Sequence, residues 1–133
     1  MIRTAIAILL LSPGLVWGEA DLGQQTYLDA CAGCHGVTGH GDGPNAALLT
    51  VPVPDLTRFA ARNRGAFDTL RMVRLIDGTA GLGAHGGPMP MFGGLLVGPS
   101  VVIDAPDGSP VTTTEPILAV VRWVESLQEV PGD

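Results

Sequence analysis

The feature that most constrains this chain is the pentapeptide C-A-G-C-H at residues 31–35. Cys31 and Cys34 are its only cysteines, and His35 follows the second at once. The fold must bring two thiols and an imidazole to one place. Three chemistries use such an arrangement. Two thiols at this spacing can add to the two vinyl groups of one haem, with the adjacent imidazole held under the iron as an axial ligand. A C-x-x-C pair can act as a thioredoxin-like redox dithiol. Two thiolates can also form half of a zinc site, which needs two further ligands. The dithiol reading calls for strands around the motif, whereas the pattern here is helix followed by glycine loop. The zinc reading has only His40 and His85 to draw on. Haem attachment is favoured, with the other two readings kept as alternatives.

Composition bears on the same question. The chain has 133 residues, enough for one domain and not two. It holds 19 Gly and 11 Pro, a loop-former content close to that of disordered chains, yet 46% of it is hydrophobic. With only 3 Phe, 2 Trp and 1 Tyr, side chains alone would build a thin core. A large flat apolar cofactor would supply the missing volume. The net charge is −6 and there is no lysine, which excludes a nucleic-acid binder relying on a basic face.

Residues 1–20 read as a cleaved secretory signal. Arg3 supplies the positive start and Ala5 to Leu11 the apolar run. Ser12-Pro13-Gly14 breaks that run, and small residues suited to cleavage follow at Val16, Gly18 and Ala20. The stretch falls short of the roughly 20 apolar residues that a spanning helix needs. The mature domain is therefore expected over 21–133, with no membrane span, outside the cytoplasm and, for a bacterial source, in the periplasm. Haem attachment takes place outside the cytoplasm, so the two readings agree.

Along the mature chain, Asp21 to about Ala32 is expected to be helical, with Leu22, Tyr27, Leu28 and Cys31 as a broken apolar stripe. Gly33 to Gly43 reads as glycine loop, and Pro44 to Leu49 has room for one helical turn. Val51-Pro52-Val53-Pro54 must be extended, because each proline biases its predecessor away from the helix. A short helix begins at Asp55, and a longer one spans Ala66 to Asp77. Gly78 to Gly94 is loop. Val101–Asp104 and Val111–Thr114 flank Pro106-Asp107-Gly108 as a β-hairpin. Glu115 to about Gln128 is the clearest helix, with Pro116 in its first turn and Ile117, Leu118, Val120, Val121, Val124 and Leu127 on the buried face.

A haem held by one histidine either takes a second axial ligand or stays open. The downstream candidates are His40, His85, Met72, Met89 and Met91. Met72 reads as core or surface of a helix. His40 is too close to His35 to reach the opposite face and reads as a surface loop residue. His85 is an alternative. Met89 lies between Pro88 and Pro90, so its thioether sits on the stiffest backbone and is preferred, with Met91 second.

These motifs resemble those of the class I c-type cytochromes, specifically the short bacterial monohaem kind, over most of residues 21–128. The likeness rests on Cys31-Ala32-Gly33-Cys34-His35-Gly36, on Gly39-His40-Gly41-Asp42-Gly43-Pro44, on Met89-Pro90-x-Phe92-Gly93, and on a last helix carrying Trp123. The resemblance implies an all-α fold of about three to five short helices around a single haem c, attached through Cys31 and Cys34, with a possible hairpin before the last helix. It implies His35 and Met89 as iron ligands, and the Pro44 carbonyl as acceptor of the His35 ring N–H, which would fix the tautomer. It further implies that the first helix, around Gly23 and Tyr27, packs across the last. The stretch Leu95–Thr114 is longer than in the smallest members.

The function expected is single-electron transfer between a redox donor and an acceptor, not catalysis, by a monomer or as part of a complex. The alternatives are a haem subunit of a larger oxidoreductase and an open-site haem enzyme or gas binder. The acidic chain is expected to meet a basic patch on its partner. Arg58, Arg62, Arg64, Arg71 and Arg74 form a local exception, read as a solvated helix face, as partners of the haem propionates, or as a docking patch.

Overall fold

The computed structural model describes residues 18–80 and 89–129, with side chains from Asp21 onward. Most of the expected export signal, His85 and Pro88 lie outside the described residues. The described elements are α1 (Gly18–Ala30), α2 (Ala32–His35), α3 (Thr69–Asp77), β1 (Ser100–Asp104), β2 (Pro110–Thr114) and α4 (Glu115–Ser126). Single 3₁₀ turns at 46–48, 56–58, 61–63 and 92–94 stiffen the loops between them. The fold is helical with one small hairpin, as the sequence led us to expect. No described helix is long and apolar enough to cross a membrane.

Helix α1 crosses α4 at Gly23. A Cβ there would collide with the Ala119 carbonyl and press on the Trp123 side chain, so only glycine permits this approach. Tyr27, one turn further on, is fully buried against the same helix layer. On α4, Ile117, Leu118, Val120, Val121 and Val124 are all buried. Helix α3 turns Met72, Val73 and Ile76 into this core.

Element ends follow local hydrogen bonding. Helix α3 starts at Thr69 rather than Ala66, because the Asp68 carboxylate accepts the Arg71 N–H at 2.9 Å and caps the first turn. Helix α4 ends at Ser126, two residues earlier than its periodicity suggests. There the Gln128 side chain accepts the Ala60 N–H and donates to the Leu56 and Val124 carbonyls, each at 2.8 Å. The C-terminal end of α4 is thereby tied to the 56–60 turn.

The hairpin pairs antiparallel from Ser100 opposite Thr114 to Asp104 opposite Pro110. Its turn closes through Gly108 N–H to the Ala105 carbonyl and through Asp107, whose carboxylate accepts from Ser109. It leads straight into α4, where the Glu115 N–H donates to the Pro99 carbonyl at 2.9 Å.

Candidate haem site

The pentapeptide is not loop. The chain leaves α1 at Cys31 and restarts as the one-turn helix α2. Both the Cys34 and His35 N–H groups reach back to the Cys31 carbonyl, at 3.1 and 2.9 Å. This turn places both sulfurs and the imidazole on the wall of one cavity of about 440 Å³. The following loop folds onto α2. Gly43 N–H donates to the Cys34 carbonyl and Asn45 N–H to the Gly33 carbonyl. A Cβ at Gly43 would lie 2.5 Å from the Ala32 and Gly33 oxygens, so the close approach needs glycine. Tyr27 fixes the other side by donating its hydroxyl to the buried Gly36 carbonyl at 2.7 Å.

His35 is 8% exposed, and its Nδ1 lies 3.3 Å from the Pro54 carbonyl. A carbonyl can only accept, so Nδ1 carries the proton and the lone pair sits on Nε2, the state required of a metal ligand. This corrects the expected acceptor. Pro44 is exposed and does not line the cavity. The backbone bonds of Gly43 and Asn45 lay that loop against the α2 backbone. The proline-stiffened segment 51–54 runs past the imidazole instead, held by the Leu56 N–H on the Gly39 carbonyl at 2.7 Å.

The methionines separate. Met89 is partly buried and lines the cavity, whereas Met91 is 64% exposed, with its side chain over Gly78. Met72 is 3% exposed and also lines the cavity from α3, a placement its sequence position did not reveal. His40 is a surface residue, as expected. Its two ring nitrogens face the Asp55 and Glu129 carboxylates at 3.7 and 3.8 Å.

Two of the five clustered arginines also reach the cavity. Arg62 donates to the Asp55 carbonyl at 2.7 Å, and the Arg71 guanidinium lies 5.6 Å from the centre of the Phe59 ring. Their charges sit on an otherwise mostly apolar lining of Leu, Val, Ile, Pro and Phe side chains.

This chemistry discriminates among the three readings. Burial, reinforced by Cys34, pushes the Cys31 thiol up to about 11. It is protonated at neutral pH, the reverse of the lowered thiol that a redox dithiol uses. Among the described residues no three His, Cys, Asp or Glu are grouped to hold a metal ion, and His40, one of the two further ligands that the zinc reading names, faces Asp55 and Glu129 at the surface instead. A flat apolar group with two anionic arms fits an apolar cavity that has two thiols and an imidazole on its wall and two guanidinium groups among its lining.

A small helical shell around such a cavity fits a covalently held haem. The sequence model of the cytochrome c family matches residues 20–128, and the chain belongs to that family. No curated protein and no solved structure is significantly similar to it.

Proposed function

We propose that this cytochrome is a single-electron carrier with one haem, attached through Cys31 and Cys34 and ligated by His35 and Met89. Membership of the family supports haem-based electron transfer. The observation that carries the finer reading is that one apolar cavity is lined by both thiols, by an imidazole in the metal-binding tautomer, and by the thioether of Met89. When bound, the haem supplies the iron that alternates between two oxidation states. The protein's own groups do the rest. Pro54 holds the His35 proton and so makes the imidazole a stronger donor. Met89 would offer its thioether to the iron from the cavity lining, a ligand type that would favour the reduced state. Arg62 and Arg71 offset the charge of the propionates, and the apolar lining excludes water. The signal-like sequence at 1–20 supports work outside the cytoplasm, in the periplasm for a bacterial source. Leu48 and Val51, exposed beside the cavity lining, provide apolar contact for a transient encounter.

The test is the spectrum of the purified holoprotein and three variants. Wild type shows a haem-stained band under denaturing conditions and the far-red methionine–iron charge-transfer band when oxidised. Met89→Leu abolishes that band, whereas Met72→Leu and Met91→Leu retain it. Loss in Met72→Leu alone would move the ligand to α3. A protein without covalent haem would end the proposal.

A further inference from the structure

The Pro54 carbonyl faces the His35 ring, yet residues 51–55 lie outside every described helix and strand. Proline fixes its own φ but not the direction of its C=O. That carbonyl shares a planar peptide unit with Asp55, so whatever fixes Asp55 aims it. Asp55 is held on several sides. Its carboxylate accepts the Thr57 N–H at 2.9 Å and the Thr57 hydroxyl at 2.6 Å. Its carbonyl accepts from the Arg62 guanidinium at 2.7 Å. The Leu56 N–H that follows donates to the Gly39 carbonyl, and the Thr57 carbonyl accepts the Glu129 N–H at 3.0 Å. On the other flank Gly41 comes so near that a Cβ there would lie 2.5 Å from the Val53 carbonyl. Two further turns of the same kind occur among the described residues, Asp77 with Thr79 and Asp107 with Ser109. Thr79 and Ser109 are exposed, whereas Thr57 is 2% exposed. The Asp55 turn is thus set into the core behind the imidazole, while the other two lie on the surface.

We propose that Asp55 is a positioning residue for electron transfer: through the Pro54–Asp55 peptide it holds the carbonyl that takes the His35 Nδ1 proton, and so sets how strongly Nε2 donates. The proposal rests on the electron-carrier reading. At 3.3 Å the Nδ1 contact is near the end of hydrogen-bonding range, so a shift of a few tenths of an ångström loses it. A held proton makes the imidazole a stronger donor, which favours oxidised iron and lowers the potential. A loosened carbonyl does the reverse.

The test compares Asp55→Ala with Asp55→Asn in the holoprotein. Both remove one negative charge, but asparagine keeps an oxygen that accepts from Thr57. Proton NMR of the reduced form reads the chemical shift and solvent exchange of the His35 ring N–H, and a spectroelectrochemical titration reads the reduction potential. In Asp55→Ala the ring proton moves upfield and exchanges about two- to ten-fold faster than in wild type, and the potential lies above that of Asp55→Asn. In Asp55→Asn the ring proton keeps its wild-type shift and exchange. Asp107→Ala, the same loss of charge in the same kind of turn, leaves the ring proton unchanged. Thr57→Val keeps the Asp55 charge and removes one of the two bonds to it. It shifts the ring proton in the same direction as Asp55→Ala, and it decides the matter should the alanine variant not fold. A ring-proton shift and a potential equal in Asp55→Ala and Asp55→Asn, whatever their melting temperatures, would make Asp55 a structural cap and overturn the proposal while the haem spectrum still stood. Absence of a reducible haem would overturn the carrier reading instead.

Discussion

At Tyr27 a single hydroxyl holds the turn that carries the site. Its bond to the Gly36 carbonyl is buried at both ends, and burial raises the phenol well above its ordinary range, so it stays a donor. Tyr27→Phe removes the shorter of two bonds to that carbonyl and leaves it the Gly39 N–H at 3.2 Å. The expected loss is about 0.5–1.5 kcal/mol of holoprotein stability, read as a lower denaturant midpoint with an unchanged slope. A variant as stable as wild type would show that the Gly39 bond alone satisfies Gly36. The sequence marked Tyr27 as apolar helix surface and gave no sign of its polar task, because the partner lies beyond the end of the helix. Cys31, Cys34 and His35 were legible, since their chemistry depends on spacing within five residues. The acceptor of the His35 proton was not, since Pro54 meets the ring only once the 51–54 segment folds back over it.

Elements vary in how openly the sequence displays them. Helix α4 and the hairpin were readable because periodicity and the Pro-Asp-Gly turn are local signals. Helix α2 was missed because one turn is too short to show a period. Its formation depends on the Cys31 carbonyl accepting two N–H groups. The α1–α4 crossing belongs to this scale. Gly23 was expected to allow it, and the Ala119 carbonyl is what any side chain would strike. A backbone carbonyl cannot swing aside, so Gly23→Val should cost about 1–3 kcal/mol or more. Thermal melts of holoprotein would show it. A melting temperature equal to that of wild type would mean that the helices separate at no cost.

Across the whole molecule, three distant segments meet at His40, between Asp55 on the second loop and Glu129 after α4. Burial alone would raise the Asp55 carboxyl, but its bonds from Thr57 and the nearby His40 outweigh this and hold it below 3.8. A carboxyl lowered on folding stabilises fully above its unfolded value, and that contribution is lost as pH falls through the folded one. Melting temperature should therefore drop on the acid side below about pH 4. The drop should be shallower in Asp55→Asn, and identical acid limbs would contradict the assignment. At this scale the division of information is plain. The sequence by itself determined the thiol–imidazole motif, the main helices, the hairpin and the need for something to fill a thin core. Each of these depends on neighbours a few residues apart, where spacing and turn chemistry act directly. Only the tertiary structure decided that Pro54 rather than Pro44 meets His35, that Met72 joins Met89 in the cavity lining, and that Arg62 and Arg71 reach the cavity wall. Those adjacencies arise when loops close and helices pack, bringing together side chains whose separation along the chain carries no local signal.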